Sequence, residues 1–209
     1  MEKVDGSKVI ELAHELQSLA SARLLYTKGQ FDAERYGRIR DIAAEITAIA
    51  SDCTLEKVKD IFASNDGYQI PKISTWAAIF NEKNEVLLVK DYEGRWVLPG
   101  GWCDYDQTIM SNVVKETLEE AGLLVQPYRL VGIFDNQKRP CSHSYFHAEN
   151  AHVLCRVTGG EFHPNSETTE SGYFSLDHLP ELNVCKMNER ELRLCLEGYL
   201  SDSWKPVVD

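Results

Sequence analysis

Three glutamates, Glu116, Glu119 and Glu120, stand at i, i+3 and i+4 in a stretch of helical apolar spacing, so their carboxylates share one face. Like charges at that distance repel, and these occupy the last turn before Gly122, where the negative end of the helix dipole disfavours them further. A solvated face would tolerate such a cluster, whereas a divalent cation would offset its cost and put the charge to use. Val114, Leu118 and Ala121 fall on another face and can anchor the helix. Upstream, Pro99-Gly100-Gly101 allows a tight backbone path that exposes main-chain carbonyls, and Gly122 suits a left-handed helix cap. Residues 98–123 thus read as strand end, glycine turn, loop, helix and glycine stop. The chemistry this permits is the binding of a divalent cation by an oxygen-only donor set suited to hard metals.

Composition supports a local rather than a global device for handling phosphate. Across 209 residues the formal net charge is −11, which disfavours nucleic acid as a partner, because duplex binding is driven by Lys and Arg releasing counterions. An acidic protein that acts on phosphates needs cations held by clustered carboxylates to bridge two negative surfaces. Hydrophobic residues at 43% and charged residues at 26% are ordinary for a globular chain. No apolar run reaches the length of a membrane span, and the N-terminus lacks a signal-peptide pattern, so a cytoplasmic location is expected. The six cysteines, Cys53, Cys103, Cys141, Cys155, Cys185 and Cys195, are dispersed without a C-x-x-C pair and are read as thiols.

Helical periodicity over 7–22 and 31–51, and a third run from Leu55 to Phe62 capped by Thr54, predict three N-terminal helices. Asn65-Asp66-Gly67 and Pro71 mark the change of texture, giving a small helical domain over 1–67 and a larger domain over 68–209. In the latter, 73–80 and 86–89 read as strands joined by an Asn81–Asn84 hairpin, with further strands at 128–134, 151–157 and 172–174. Helices over 109–121 and 188–200 complete an α+β pattern.

The segment from Gly101 to Leu123 resembles the Nudix box, G-x5-E-x7-R-E-U-x-E-E-x-G-U, where U is a bulky aliphatic residue. Gly101, Glu116, Glu119, Glu120, Gly122 and Leu123 match, while Gln107, Lys115 and Thr117 depart. Trp96-Val-Leu-Pro-Gly-Gly-Trp102, Gly159-Gly160-Glu161-Phe162 and the Glu170–Pro180 run extend the likeness, as do Tyr26-Thr-Lys and Phe31-Asp-x-Glu-Arg-Tyr36 in the helical part. Together they resemble a Nudix subgroup with a helical N-terminal segment. This implies an α/β/α sandwich with a mixed sheet behind a small all-helical domain. It also implies Mg²⁺ or Mn²⁺ held by Glu116, Glu119, Glu120 and the carbonyl of Gly101. In the family the first Glu and the Arg brace the loop and helix. Gln107 and Lys115 weaken that brace on both sides, since Lys cannot reproduce the fork of Arg.

The implied activity is hydrolysis of the diphosphate bond in a small nucleoside diphosphate derivative, such as CDP-choline or an ADP-ribose-like compound. Glu116, Glu119 and Glu120 are the implied catalytic carboxylates, joined by Glu167 of the Asn165–Glu170 loop as base or extra ligand. Arg139 and His147, in the irregular stretch 135–150 that also holds His143, are candidates for phosphate or leaving-group contact. Trp96 and Phe134 are candidates for stacking on a base, with Trp76, Tyr92 and Phe146 beside them, although aromatics in strands commonly serve the core. The N-terminal helices are too short to bury a sufficient core alone, and a homodimer is expected. The competing readings are a silent nucleotide sensor, permitted by Gln107 and Lys115, and an RNA-end-processing enzyme, disfavoured by the acidic balance.

Overall fold

The computed structural model describes residues 6–51, 53–64, 68–139 and 147–209. The Asn65-Asp66-Gly67 turn, Cys141, His143 and Phe146 lie outside the described residues. The chain divides into two compact units, Met1–Ile70 and Pro71–Asp209.

In the first unit, α1 (Gly6–Tyr26) packs on α2 (Gln30–Ala50), and α3 (Leu55–Ser64) follows. The seam is built from small side chains, with Ala13, Ala20 and Ser21 of α1 and Ala43, Ala44 and Thr47 of α2 buried. Their polar atoms are satisfied locally. Gln17 donates to Ser21 Oγ at 3.1 Å, and Thr47 Oγ1 donates to the Ala43 carbonyl at 2.9 Å. Ile10, Val58 and Phe62 are buried as well, while other large side chains face outward. Leu12, Leu16, Leu19 and Tyr26 make an exposed stripe along α1, and Phe31, Ile42 and Ile49 recur on one face of α2.

The second unit holds two sheets. The larger has the order β4-β1-β6-β5-β8, with β1 (Lys72–Ala78), β4 (Gly100–Trp102), β5 (Leu123–Asp135), β6 (Ala148–Gly160) and β8 (Val207–Val208). It is mixed, because β1 runs parallel to β6 and antiparallel to β4, while β5 pairs antiparallel with β6 and parallel with β8. The smaller sheet has the order β3-β2-β7, from β2 (Val86–Asp91), β3 (Trp96–Val97) and β7 (Thr168–Phe174). The expected hairpin turn forms, with Asn81 Oδ1 accepting from the N–H groups of Lys83 and Glu85 and Asn84 at φ 61°. After the Phe80–Val86 bridge, however, its two strands part into different sheets.

Strand alternation shows where the helices lie. Thr75, paired with Ala151, meets α4 (Ile109–Ala121) through Asn112, whereas the next residue of β6, His152, meets α5 (Glu189–Leu200) through Cys195. Successive side chains on a strand point to opposite faces, so α4 and α5 cover the two faces of the larger sheet. This is the sandwich that the sequence implies. Ala77, Leu88, Val113, Val153, Leu154 and Leu192 belong to its buried core. Among the described residues no helix is long and apolar enough to cross a membrane.

Candidate active site

Local chemistry fixes both ends of α4. Thr108 accepts from the Ser111 N–H at 3.1 Å, and the Ser111 hydroxyl accepts from the Thr108 N–H at 2.9 Å, forming a capping box. Gly122 ends the helix in the left-handed region at φ 65°, and a Cβ there would run into the Glu161 carbonyl. Carbonyls of the last turn are met from the loop before β7 and from its first residue. Asn165 Nδ2 donates to the Glu119 carbonyl at 2.8 Å, and Thr168 Oγ1 donates to the Glu120 carbonyl at 2.6 Å. Buried Asn112 ties the helix to the sheet by donating to Thr75 Oγ1 at 2.8 Å and to the Trp102 carbonyl at 3.2 Å.

These contacts bring two of the three box glutamates, Glu116 and Glu120, against the glycine turn. Glu120 accepts from the Gly100 N–H at 2.8 Å. A Cβ on Gly101 would lie 2.7 Å from Glu116 Oε2, so glycine is what lets that carboxylate reach the turn. Gly100 itself passes so close to β1 that a Cβ would collide with the Thr75 carbonyl. Burial pushes the Glu120 carboxyl up to about 7, opposed by the Gly100 N–H and reinforced by the charge of Glu116. Burial likewise raises Glu116, against the pull of Lys115.

Lys115 supplies the brace that the altered box was expected to weaken. Its Nζ lies 2.8 Å from Glu119, 3.2 Å from Glu116 and 3.3 Å from Asp104 of the preceding loop. Asp104, three positions before Gln107, thus furnishes the acidic partner, and a flexible ammonium contacts three carboxylates where a planar fork would favour one. Asp104 carried no helical or strand periodicity that would have flagged it.

Among the described residues no three acidic, imidazole or thiol groups form a ready-made cation cage. The donor set nevertheless fits a divalent cation. The buried or half-buried carboxylates Glu116 and Glu120 are held at a cost in bare charge, their oxygens are hard donors, and Gly101 leaves the approach open.

A pocket of about 710 Å³ opens over this cluster, reaching from Glu116, Glu120 and Glu167 to Ser74, Trp76 and Asn150. Glu167 therefore joins the box glutamates, and its charge adds to the upward pressure on Glu120. Trp76 and Asn150 form a tied floor. Ser74 Oγ donates to Asn150 Oδ1 at 2.6 Å, Trp76 Nε1 donates to Ser74 Oγ at 2.8 Å, and Asn150 Nδ2 donates to the Phe134 carbonyl at 2.8 Å. The other expected contacts lie elsewhere. Arg139 lines the pocket but is buried, spending its guanidinium in a two-pronged pair with Glu191 at 3.0 and 2.9 Å. Phe134 is core, edge-on to His152. Trp96 packs edge-on to Phe174 in the smaller sheet, and His147 pairs with Asp135 at 3.1 Å; neither lines the pocket. Lys186 and Tyr92 do line it. A lysine on the turn ahead of α5 has no sequence signal to connect it with residues 98–123.

Comparison with known proteins agrees with this geometry. The profile of the NUDIX domain matches residues 71–193, and that of a UDP-X-like, N-terminal oligomerisation domain matches residues 7–62. A Bacillus subtilis (strain 168) protein, provisionally named an ADP-ribose pyrophosphatase, is 30% identical over 204 residues, covering 97% of this chain and 98% of its own. A crystal structure of an ADP-ribose pyrophosphatase from Streptococcus suis 89-1591 is similar at 48% identity and a TM-score of 0.62, over 67% of this chain and 100% of that one. The crystal structure of a UDP-X diphosphatase matches in fold over 99% of this chain and 100% of its own, with 24% identity and a TM-score of 0.63.

Proposed function

The chain belongs to the Nudix family of pyrophosphohydrolases, with that family's helical N-terminal module, and from this premise we propose that it cleaves a nucleoside diphosphate linked to a second group. The observation that carries the reading is the face of Glu116, Glu119 and Glu120, joined by Glu167, opening onto a pocket of about 710 Å³. ADP-ribose heads the candidates because the relatives named for it span this chain or its catalytic unit, and CDP-choline is the alternative.

In this reading Glu116, Glu119 and Glu120 hold Mg²⁺ or Mn²⁺ together with the Gly101 carbonyl. Such an ion supplies charge neutralisation at the diphosphate and makes water easier to deprotonate. The hydrogen bond from Gly100 fixes one oxygen of Glu120, and Lys115 fixes Glu116 and Glu119, so the carboxylates are oriented before substrate arrives. Glu167, which lines the pocket with the box glutamates, accepts the proton of the attacking water. Water adds at phosphorus, the bridging P–O bond breaks, and a nucleoside monophosphate leaves with a phosphorylated second product. Trp76 and the Ser74–Asn150 pair form the wall against which the rest of the substrate lies.

The apolar stripes on α1 and α2 support a homodimer formed through the helical module. The test of the catalytic reading is release of monophosphate from ADP-ribose, CDP-choline, other nucleotide sugars and a short RNA, with Mg²⁺ or Mn²⁺. Metal-dependent cleavage of a small diphosphate that collapses in Glu120→Gln is expected. Cleavage of RNA alone, or tight binding without turnover, would sink the proposal.

A further inference from the structure

Among the described residues three cations line the pocket, and two are already consumed. Arg139 gives both prongs to Glu191, each partner 3% exposed, and Lys115 is surrounded by Asp104, Glu116 and Glu119. Lys186 differs. Its side chain is 34% exposed, and among the described residues its one hydrogen-bond partner is Asp91, at 3.1 Å. An ammonium has three donors, so the contact with Asp91 leaves two for a ligand.

The mount of Lys186 is rigid and belongs to the site. Asp91 is buried and also accepts from Asn183 Nδ2 at 2.9 Å and from the N–H groups of Glu93 and Arg95. Burial works against its charge, yet the bonds from Asn183 and Lys186 hold its carboxyl below the ordinary range. Asn183 in turn donates its N–H to the Trp96 carbonyl, and Met187, fully buried, accepts from the Leu98 N–H at 3.2 Å. The Asn183–Met187 turn is therefore pinned to the strand that runs directly into Pro99-Gly100-Gly101. Lys186 also stands 5.2 Å from the ring of exposed Tyr92, and its charge favours the ionised form of Glu120.

We propose that Lys186 is a substrate-binding residue, held by Asp91 to donate to non-bridging oxygens of the diphosphate in the pocket that the box glutamates also line. This rests on the hydrolase reading above. A substrate of multiple negative charge in a pocket lined by carboxylates needs a fixed positive group beside whatever cations those carboxylates hold. The compact ammonium suits that task because it bonds phosphate as a point charge without demanding a planar partner.

The experiment compares wild type with Lys186→Met and Lys186→Arg on the diphosphate that wild type cleaves. It adds the Kd of that compound for Glu120→Gln with and without Lys186→Met, and melting temperatures throughout. Loss of one charged hydrogen bond predicts that Lys186→Met raises KM about 10- to 100-fold with a smaller change in kcat. It also predicts a Kd weakened by a similar factor, and recovery of most of the loss in Lys186→Arg. A purely structural lysine would lower the melting temperature and leave KM and Kd alone. KM and Kd within twofold of the parent proteins, while Glu120→Gln stays inactive, would overturn the assignment of Lys186 and leave the hydrolase intact. A wild type that cleaves no diphosphate would remove both.

Discussion

At the scale of single residues, the site is a balance between burial and charge, and Glu120 is where the balance is tightest. Its carboxyl, with an ordinary value of 4.5, is pushed up to about 7 in the fold. A raised folded pKa means that the native state binds the proton more tightly, so its contribution to stability is complete below about 4.5 and is lost as pH rises through about 7. Chelator-treated protein should therefore lose at most about 3 kcal/mol from this group across that window, and Glu120→Gln should flatten the loss in urea titrations. A wild type and variant with the same slope would show that Glu120 is not the titrating group. The same variant should lower turnover by about 100-fold or more in a monophosphate-release assay, since it removes a charged ligand from the cluster.

At the scale of elements, α4 works because both ends are closed and its face is pinned. Gly122→Ala places a Cβ in the left-handed region and against the Glu161 carbonyl, which predicts a loss of about 1–3 kcal/mol in denaturant unfolding. A stability within a few tenths of wild type would mean that the Gly122–Glu161 approach relaxes freely. The seam between β6 and α5 offers a second test. His152 is fully buried, 3.6 Å from Cys195, and burial together with the Arg139 charge holds its imidazole down to about 3 from 6.5. A depressed folded pKa contributes stability that is complete above 6.5 and is lost as pH falls toward about 3, by about 1.4 kcal/mol per pH unit. The signs of the two buried groups oppose each other below neutrality, so each is read against its own variant. His152→Leu, of similar volume and without polar atoms, should abolish the acid-side loss in melts between pH 4 and 7.

For the whole molecule, the helical module leaves apolar surface that its own packing does not cover. Leu19, Phe31 and Ile49 are 63%, 75% and 86% exposed, and Phe31, Ile42 and Ile49 lie along one face of α2. Surface of this kind marks an interface, and the matching profile of this segment carries an oligomerisation description. Light scattering on the full chain should give twice the chain mass, and the double variant Phe31→Asp/Ile49→Asp should give the monomer mass with the fold retained by circular dichroism. A wild type that is monomeric at all concentrations would refute the homodimer.

Local patterns in the chain were enough to locate the helix of the box glutamates, because one period of 3.6 residues sets Glu116, Glu119 and Glu120 on a common face and Gly122 marks its end. They were enough, too, for the three N-terminal helices and for β1, β5 and β6 of the mixed sheet, whereas the short strands β4 and β8, made by pairing with distant partners, carried no alternation to read. What they left open depended on distance along the chain. Asp104 replaces the position expected to brace the box because Lys115 reaches back across a loop, and Arg139 is spent on Glu191, 52 residues away. Phe134 and Trp96 were recognisable as aromatics, yet strand register and packing set Phe134 into the core against His152 and leave Trp96 partly buried against Phe174. Lys186 enters the pocket through Asp91, 95 positions earlier, a pairing that no periodicity encodes. The sequence by itself determined the chemistry that one helix and its flanking turns could carry; tertiary structure decided which distant charges would be neutralised by neighbours and which would face a substrate.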